Sequence, residues 1–149
     1  IPGIDTVRSM ILGHSAGGHL ALLMSAVSER KPWLVVAQSP IVDLIAADHA
    51  KLSDEGDAVR KWIGSSPEQD IETWRKLNPI DNPAKSSVLL IHGKNDADVP
   101  WTQSESYVRA MAARGVPVQN LWLPGDHYSI IDVASDDWLT QSDAIRDWL

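Results

Sequence analysis

The sequence has no cysteine and no phenylalanine, although it contains seven tryptophans in 149 residues. The lack of cysteine excludes a disulfide framework, a thiol nucleophile and a cysteine-ligated zinc site, but it does not fix the cellular compartment. Basic residues are also few, because 13 Lys and Arg stand against 20 Asp and Glu, a net charge of −7. Nucleic-acid binding depends on basic side chains that neutralise phosphates, so we expect no nucleic-acid partner.

Long hydrophobic runs are missing as well. The apolar run at residues 33–37 is far shorter than the roughly 20 residues that a membrane-spanning helix needs, so no membrane span is expected. Hydrophobic residues make up 44% of the chain and charged residues 22%, which is typical of a globular domain. The length suits one domain with a sizeable core.

Short apolar runs alternate with helical patterns along the chain. Four runs, each ended by Gly, Pro or polar residues, predict strands: residues 7–12, 34–38, 88–91 and 118–123. Three segments have the apolar spacing of helices: residues 20–27, 102–114 and about 136–149. Because buried strands alternate with helices, we predict an α/β fold with a mainly parallel sheet and flanking helices.

Residues 43–83 interrupt this alternation. The segment is polar and predicts two short helices, at residues 58–63 and 70–77. An insertion of this length between two strands either caps a site or decorates a sheet edge. We therefore expect one domain over residues 1–149, with a cap-like segment at about 43–83.

The segment Gly13-His14-Ser15-Ala16-Gly17 matches the pattern G-x-S-x-G and stands between a predicted strand and a predicted helix. A Gly-rich turn without chemistry is the structural alternative, and the flanking elements argue against it. A nucleophile on such a sharp turn needs small residues two positions away on either side. The turn would project the Ser15 hydroxyl beyond the strand ends, and it would leave the Ala16 N–H free to donate to an oxyanion.

A serine hydroxyl also needs a base to accept its proton and a carboxylate to orient that base. Asp96 follows the strand at 88–91, and His127 follows the strand at 118–123. The chain order serine, acid, histidine is the one expected for a nucleophile on a strand-to-helix turn. All three residues follow the carboxyl ends of strands, where open parallel sheets build their sites.

Neighbouring residues offer alternatives for these roles. Asp98 could be the acid instead of Asp96, although we expect it to cap the following turn or helix. Asp126 adjoins His127 and would point in a different direction. The histidines on either side of the serine, His14 and His19, are expected to have structural roles.

The remaining candidates concern the surroundings of the site. We expect His92 to be a hydrogen-bonded residue below the site, whereas His49 could face solvent or touch substrate. Trp101 and Tyr128 could line the pocket or serve packing. A metal site formed by His92, Asp96, Asp98 and His127 is conceivable, but no typical ligand spacing supports it, and we expect neither metal nor cofactor.

Four segments resemble the α/β-hydrolase superfamily, within it the branch of prolyl-oligopeptidase-like enzymes and carboxylesterases, including kynurenine-formamidase-like enzymes. The segments are ILGHSAGGHLALLMSA, VVAQSPIVDL, VLLIHGKNDADVPWTQSESYVRAM and LWLPGDHYSII. The resemblance implies Ser15 as nucleophile, Asp96 as acid and His127 as base. It also implies the backbone N–H of Ala16 as one oxyanion-hole donor.

The sequence departs from this family pattern before the serine. A complete domain of the family carries several strands there, whereas only fourteen residues precede Ser15. The strand at 7–12 is then expected to have an unpaired apolar edge. We expect the chain to be the C-terminal portion of a longer hydrolase, or to need a partner chain that completes its sheet.

The expected function is that of a serine hydrolase that cleaves a small-molecule carboxylic ester or small amide through an acyl-enzyme. One alternative is an exopeptidase of the prolyl-oligopeptidase branch. Another is an inactive hydrolase-fold fragment used for binding.

Overall fold

The structure, a computed structural model, describes residues 7–53 and 55–148. Its strands form one parallel sheet in chain order: β1 (Met10–His14), β2 (Leu34–Gln38), β3 (Ser87–Gly93) and β4 (Gln119–Leu123). Because all four strands run in the same direction, their carboxyl ends meet at one edge of the sheet. The predicted α/β class with a parallel sheet is confirmed.

Six helices occur in the described part of the chain. They are α1 (Ala16–Val27), α2 (Leu44–His49), α3 (Ala58–Ile63), α4 (Ile71–Leu77), α5 (Thr102–Ala113) and α6 (Asp136–Arg146). The sequence pattern missed α2, which Asp43 caps by accepting hydrogen bonds from the N–H groups of Ile45 and Ala46. The final helix ends at Arg146 rather than near residue 149, which lies outside the described residues.

Two elements, β1 and α1, begin three or more residues away from the predicted position. Strand β1 begins at Met10 and continues to His14, because Gly13 and His14 pair with the last two residues of β2. Helix α1 begins at Ala16 rather than at residue 20. Two glycines in its first turn have low helix propensity, so local preference alone places the start too late.

Hydrophobic side chains cover both faces of the sheet. The central strand β2 is buried along its whole length, as expected for a strand with helices on both sides. Its Val35 and Ala37 join the cluster that holds Leu22 of α1 and Tyr107 of α5. Its Leu34 and Val36 join the opposite cluster, against which Ile145 of α6 packs. The packing of helices on both faces of the sheet fixes the position of the strand ends that carry the site.

The segment at residues 43–83 has a small core of its own. Four buried residues form it: Leu44, Ala47, Val59 and Trp74. The buried carboxylate of Asp48 accepts two hydrogen bonds from Arg60, at 2.6 and 2.7 Å, which link α2 to α3. The hydrogen bonds from Arg60 hold the pKa of Asp48 below its ordinary value. At the start of the segment, the N–H of Asp43 donates to Gln103 Oε1 in α5, which anchors the segment beside the strand ends.

Strand β1 lies at one edge of the sheet and carries apolar side chains. Met10 and Leu12 are 39% and 46% exposed, and Leu20 and Met24 of the neighbouring α1 are each 49% exposed. Among the described residues, no helix combines the length and hydrophobicity needed to cross a membrane.

Candidate active site

Ser15 occupies a sharp turn between β1 and α1. Its backbone has φ 57° and ψ −120°, a conformation that costs a non-glycine residue on the order of 1–3 kcal/mol. The Ser15 N–H donates to the Gln38 carbonyl at 2.8 Å, which ties the turn to the end of β2. The Ser15 side chain makes no capping hydrogen bond to α1. Its hydroxyl therefore stays available for another partner.

Close backbone approach explains one of the two glycines of the motif. A Cβ at Gly13 would clash with the backbone carbonyl of Gly17, so a side chain at Gly13 is excluded. A Cβ at Gly17 would meet no atom of the described residues within 4 Å outside its own helix turn. The expectation that both positions need a small residue is thus correct for Gly13 and wrong for Gly17, since Gly17 contributes its backbone to the tight contact and directs its own Cβ position into open space.

His127 and Asp96 form a buried hydrogen-bonded pair. The His127 Nδ1 donates to Asp96 Oδ2 at 2.7 Å, and the two side chains are 6% and 0% exposed. Asp96 follows β3, whereas His127 follows β4, so the pair links two adjacent loops at the carboxyl edge of the sheet. A carboxylate that accepts from Nδ1 fixes the imidazole tautomer and leaves Nε2 as the basic nitrogen.

The second oxygen of Asp96 is held by the backbone. Oδ1 accepts hydrogen bonds from the N–H groups of Asp98 and Val99, at 3.0 and 2.8 Å. Burial acts to raise the pKa of Asp96, but the hydrogen bonds from His127 and from the Val99 N–H outweigh it, and the pKa lies below its ordinary value. Asp96 is therefore an ionised, oriented partner for the imidazole.

The other acidic candidates occupy different positions. Asp98 is exposed, and its hydrogen bond to Asp96 uses its backbone N–H. Asp126 is also exposed, and its Oδ1 accepts from the N–H groups of Tyr128 and Ser129. Asp126 thereby shapes the turn that carries His127. The geometry singles out Asp96 as the carboxylate that orients the histidine.

Two further histidines support the pair. The fully buried His92 lies below it: its Nε2 donates to the Val99 carbonyl at 2.8 Å and is 3.3 Å from Asp96 Oδ2. Burial lowers the pKa of His92, so the ring is held neutral. On the other side, His14 Nε2 donates to the His127 carbonyl at 2.8 Å, and the two ring centroids are 4.4 Å apart. Burial lowers the pKa of His14, and repulsion by His127 adds to the effect.

The hydrogen bond of His14 to a backbone carbonyl agrees with the expected structural role, but the sequence gives no indication that its partner is His127. Its position directly before the serine gave no signal of this contact, because the His127 loop reaches His14 only through the tertiary fold. His19 is buried in α1, as expected for a structural residue. The Trp101 ring packs against Trp122, at a centroid distance of 5.7 Å, rather than on the cavity described next.

A cavity of about 590 Å³ joins Ser15 to His127. Both residues lie on its wall, together with the half-exposed Tyr128, whose ring stands edge-on to His127. The rest of the wall comes from the Asp96 loop (residues 97–99) and from residues 41, 50–53, 58 and 59. Ala16 begins α1 beside Ser15, where the first N–H groups of a helix have no partner within the helix. His49 is exposed and is not part of this wall.

One group among the described residues has the spacing of metal ligands. Ligand atoms of Asp96, Asp98 and His127 lie within 4.8 Å of one another. Two of these residues are the hydrogen-bonded pair itself. A cation bound there would compete with the proton between His127 and Asp96, so the same side chains cannot serve both purposes at once.

Relatives of known function place these residues in a family context. Residues 3–144 match the model of the prolyl oligopeptidase family. The chain is 27% identical over 141 residues to the acylamino-acid-releasing enzyme of Rattus norvegicus. The alignment covers 89% of the chain and 19% of that protein. The chain is also 26% identical over 135 residues to the enzyme of the same name from Arabidopsis thaliana. This alignment covers 85% of the chain and 18% of that protein.

Solved structures share the fold. The acylaminoacyl peptidase of Pyrococcus horikoshii superposes with a TM-score of 0.83 at 23% identity, over 99% of the chain and 24% of that protein. A puromycin-hydrolyzing peptidase of Mycobacterium tuberculosis gives a TM-score of 0.70 at 25% identity, over 83% of the chain and 19% of that protein.

The chain spans about a fifth of the length of the curated relatives it matches. The family match favours the peptidase branch, to which the alternative exopeptidase expectation belongs, over the first expectation of a hydrolase of esters or small amides. Because the family model covers most of the chain, including the serine turn and the Asp96 and His127 loops, we conclude that this protein belongs to the prolyl oligopeptidase family of serine hydrolases.

Proposed function

We propose that the protein is a serine peptidase in which Ser15, His127 and Asp96 form the catalytic triad. The observation that carries this proposal is the buried 2.7 Å hydrogen bond between His127 and Asp96, on the same cavity as a strained serine. Backbone strain is retained where the surrounding structure enforces it, which is common at functional sites. Ser15 and His127, far apart in the chain, line one cavity, and Asp96 is hydrogen-bonded to His127.

In the proposed reaction, His127 Nε2 takes the proton of the Ser15 hydroxyl as its oxygen attacks the substrate carbonyl. Asp96 keeps Nδ1 protonated and stabilises the imidazolium that forms. The backbone N–H of Ala16 donates to the oxyanion of the tetrahedral intermediate. His127 then returns the proton to the leaving amine, and water hydrolyses the acyl-enzyme by the same steps.

The proposed substrate is a short peptide with an acylated N-terminal residue. Support comes from the family and from the names of the relatives, which are acylamino-acid-releasing enzymes and peptidases. An acyl-enzyme mechanism also hydrolyses activated esters, so a p-nitrophenyl ester serves as a reporter of the same triad.

The segment at 43–83 is proposed to cap this site. It supplies Ala50, Lys51, Leu52 and Ser53 to the cavity wall, together with Ala58 and Val59. Its hydrogen bonds to Gln103 hold it in place beside the strand ends. A cap of this kind limits the size of the substrate and excludes water from the reacting groups.

The test compares Ser15→Ala with wild type in the complete protein, using an N-acetyl-aminoacyl p-nitroanilide, the unacylated analogue and p-nitrophenyl acetate. Loss of the nucleophile should lower kcat by roughly 10⁴- to 10⁶-fold on every substrate that wild type cleaves. Ser87→Ala is the matched control, because Ser87 is an exposed serine at the start of β3 and does not line this cavity. Near-normal hydrolysis by Ser15→Ala would refute the triad, and faster cleavage of the unacylated peptide would refute the substrate.

A further inference from the structure

A second, apolar cavity adjoins the proposed active site. Its volume is about 300 Å³, and it shares Ile41, Ala58 and Val59 with the cavity of Ser15 and His127. The rest of its wall is formed by Ala16, His19, Leu20, Leu44 and Trp62. A group that extends from a carbonyl at Ser15 can therefore enter this space. The wall offers one ionisable side chain, that of His19.

His19 has an unsatisfied acceptor. The residue is only 4% exposed, and its Nδ1 lies 3.2 Å from the Ile41 carbonyl. A carbonyl can only accept, so Nδ1 carries the hydrogen and Nε2 carries a lone pair. Nε2 is buried and has no hydrogen-bond partner among the residues that the structure describes. A buried polar atom without a partner destabilises the folded protein, and a ligand with a suitable donor would satisfy it.

Protonation does not satisfy His19 Nε2 either. Burial lowers the pKa of His19, so the imidazole is neutral near neutral pH and Nε2 carries no proton. The ring of Trp62 stands edge-on to His19 at a centroid distance of 5.3 Å, and Trp62 is 53% exposed at the rim of the cavity. Because exposed side chains change rotamer quickly, movement of Trp62 can open Nε2 to a ligand.

We propose that this cavity binds an aromatic side chain of the substrate that carries one hydrogen-bond donor, an indole N–H or a phenol hydroxyl, with His19 Nε2 as the acceptor. The apolar wall suits an aromatic ring, and Trp62 offers a face or edge for ring contacts. His19 is then a specificity-determining residue that distinguishes rings with a donor from rings of the same shape without one. The assignment to a substrate side chain rests on the proposed peptidase function.

The test measures binding without turnover, in the complete protein carrying Ser15→Ala. Indole and benzothiophene have closely similar bicyclic shapes, but only indole has an N–H. In nuclear magnetic resonance titrations, indole should bind about 3- to 10-fold more tightly, the effect of one neutral hydrogen bond. It should also perturb the amides of Ala16, Leu20 and Ala58 and shift the ¹⁵N resonance of His19 Nε2. Equal affinities, or perturbations confined to other residues, would overturn the proposal.

Replacement of His19 by asparagine tests the contribution of the Nε2 acceptor to binding. In His19→Asn, the side-chain amide can still donate to the Ile41 carbonyl in place of Nδ1, while Nε2 is removed. The preference for indole should fall to about 1-fold, whereas the exposed control His49→Asn should keep it. A preference that survives His19→Asn would contradict the proposal. If His19→Asn does not fold, the comparison of the two ligands in the parent protein decides alone.

These experiments separate the two proposals. A retained indole preference together with normal hydrolysis by Ser15→Ala would support the cavity assignment and refute the triad. Conversely, Ser15-dependent cleavage with equal kcat/KM for tryptophan and naphthylalanine substrates would support the triad and refute the cavity assignment.

Discussion

Replacement of Asp96 by asparagine changes one charge and almost no volume, and the structure dictates how the new amide must be oriented. Oδ1 of Asp96 accepts from the N–H groups of Asp98 and Val99. An amide NH₂ at this position would face two donors, so the asparagine carbonyl must stay there. The NH₂ group is then directed at His127 Nδ1, in the place of the oxygen that accepts at 2.7 Å.

This orientation inverts the tautomer of His127. Nδ1 has to accept from the amide, so the proton moves to Nε2, and Nε2 can no longer take the proton of Ser15. We expect kcat to fall about 10⁴-fold, the size of effect that a wrong tautomer has in a serine protease. This corresponds to about 5 kcal/mol of transition-state stabilisation. The new NH₂ group also faces His92 Nε2, which lies 3.3 Å from Oδ2, so a moderate loss of stability should accompany the loss of rate.

The assay is hydrolysis of an N-acetyl-aminoacyl p-nitroanilide by the complete protein, with circular dichroism to confirm that each variant is folded. Asp98→Asn is the matched control, because Asp98 is an exposed aspartate two residues away. Its activity should stay within about 3-fold of wild type, as expected for an exposed side chain outside the relay. A large loss in Asp98→Asn with a small loss in Asp96→Asn would refute this reasoning.

Two further predictions concern stability. Gly13→Ala should prevent folding or strongly destabilise the folded state, because its Cβ would overlap the Gly17 carbonyl. Gly17→Ala has open space around its Cβ and should keep the urea midpoint of the parent protein. Equal midpoints for the two variants would contradict this. Burial lowers the pKa of three histidines, His14, His19 and His92. As the pH falls, these side chains take up protons in the unfolded chain before they do so in the folded one. The free energy of unfolding that they contribute is therefore fully present above pH 6.5 and decreases as the pH drops below it. Urea unfolding between pH 5 and 7.5 should show a slope of about 1.4 kcal/mol per pH unit for each proton taken up, and His19→Asn should reduce that slope; a flat profile would contradict it.

Residue pattern predicts the parts of this fold in which local sequence and tertiary environment agree. The strand at Leu34–Gln38 and the helix at Ala58–Ile63 have the predicted bounds, since each is a clear apolar pattern between polar or turn-forming residues. The start of α1 was predicted too late because the turn at Ser15, rather than helix propensity, sets it. The helix at Leu44–His49 was missed although Asp43 provides a recognisable capping residue.

In the candidate site, too, local sequence predicts some features, and the tertiary environment sets the others. Chain order and position after strands suffice to name Ser15, Asp96 and His127 as candidates. They do not decide between Asp96 and Asp98, because that choice depends on which carboxylate the backbone N–H groups of the loop turn toward the histidine. The contact of His14 with His127 and the unpartnered Nε2 of His19 arise from residues distant in the chain, so no local pattern reports them.

The central claim is that the hydroxyl of Ser15 is activated by His127 and Asp96. A fluorophosphonate reacts covalently with an activated serine, and intact mass with peptide mapping locates the adduct. The complete protein should gain one adduct, on Ser15, and labelling should be slowed strongly in Asp96→Asn but not in Asp98→Asn. Absence of an adduct, an adduct on another residue, or equal labelling rates in wild type and Asp96→Asn would contradict the claim.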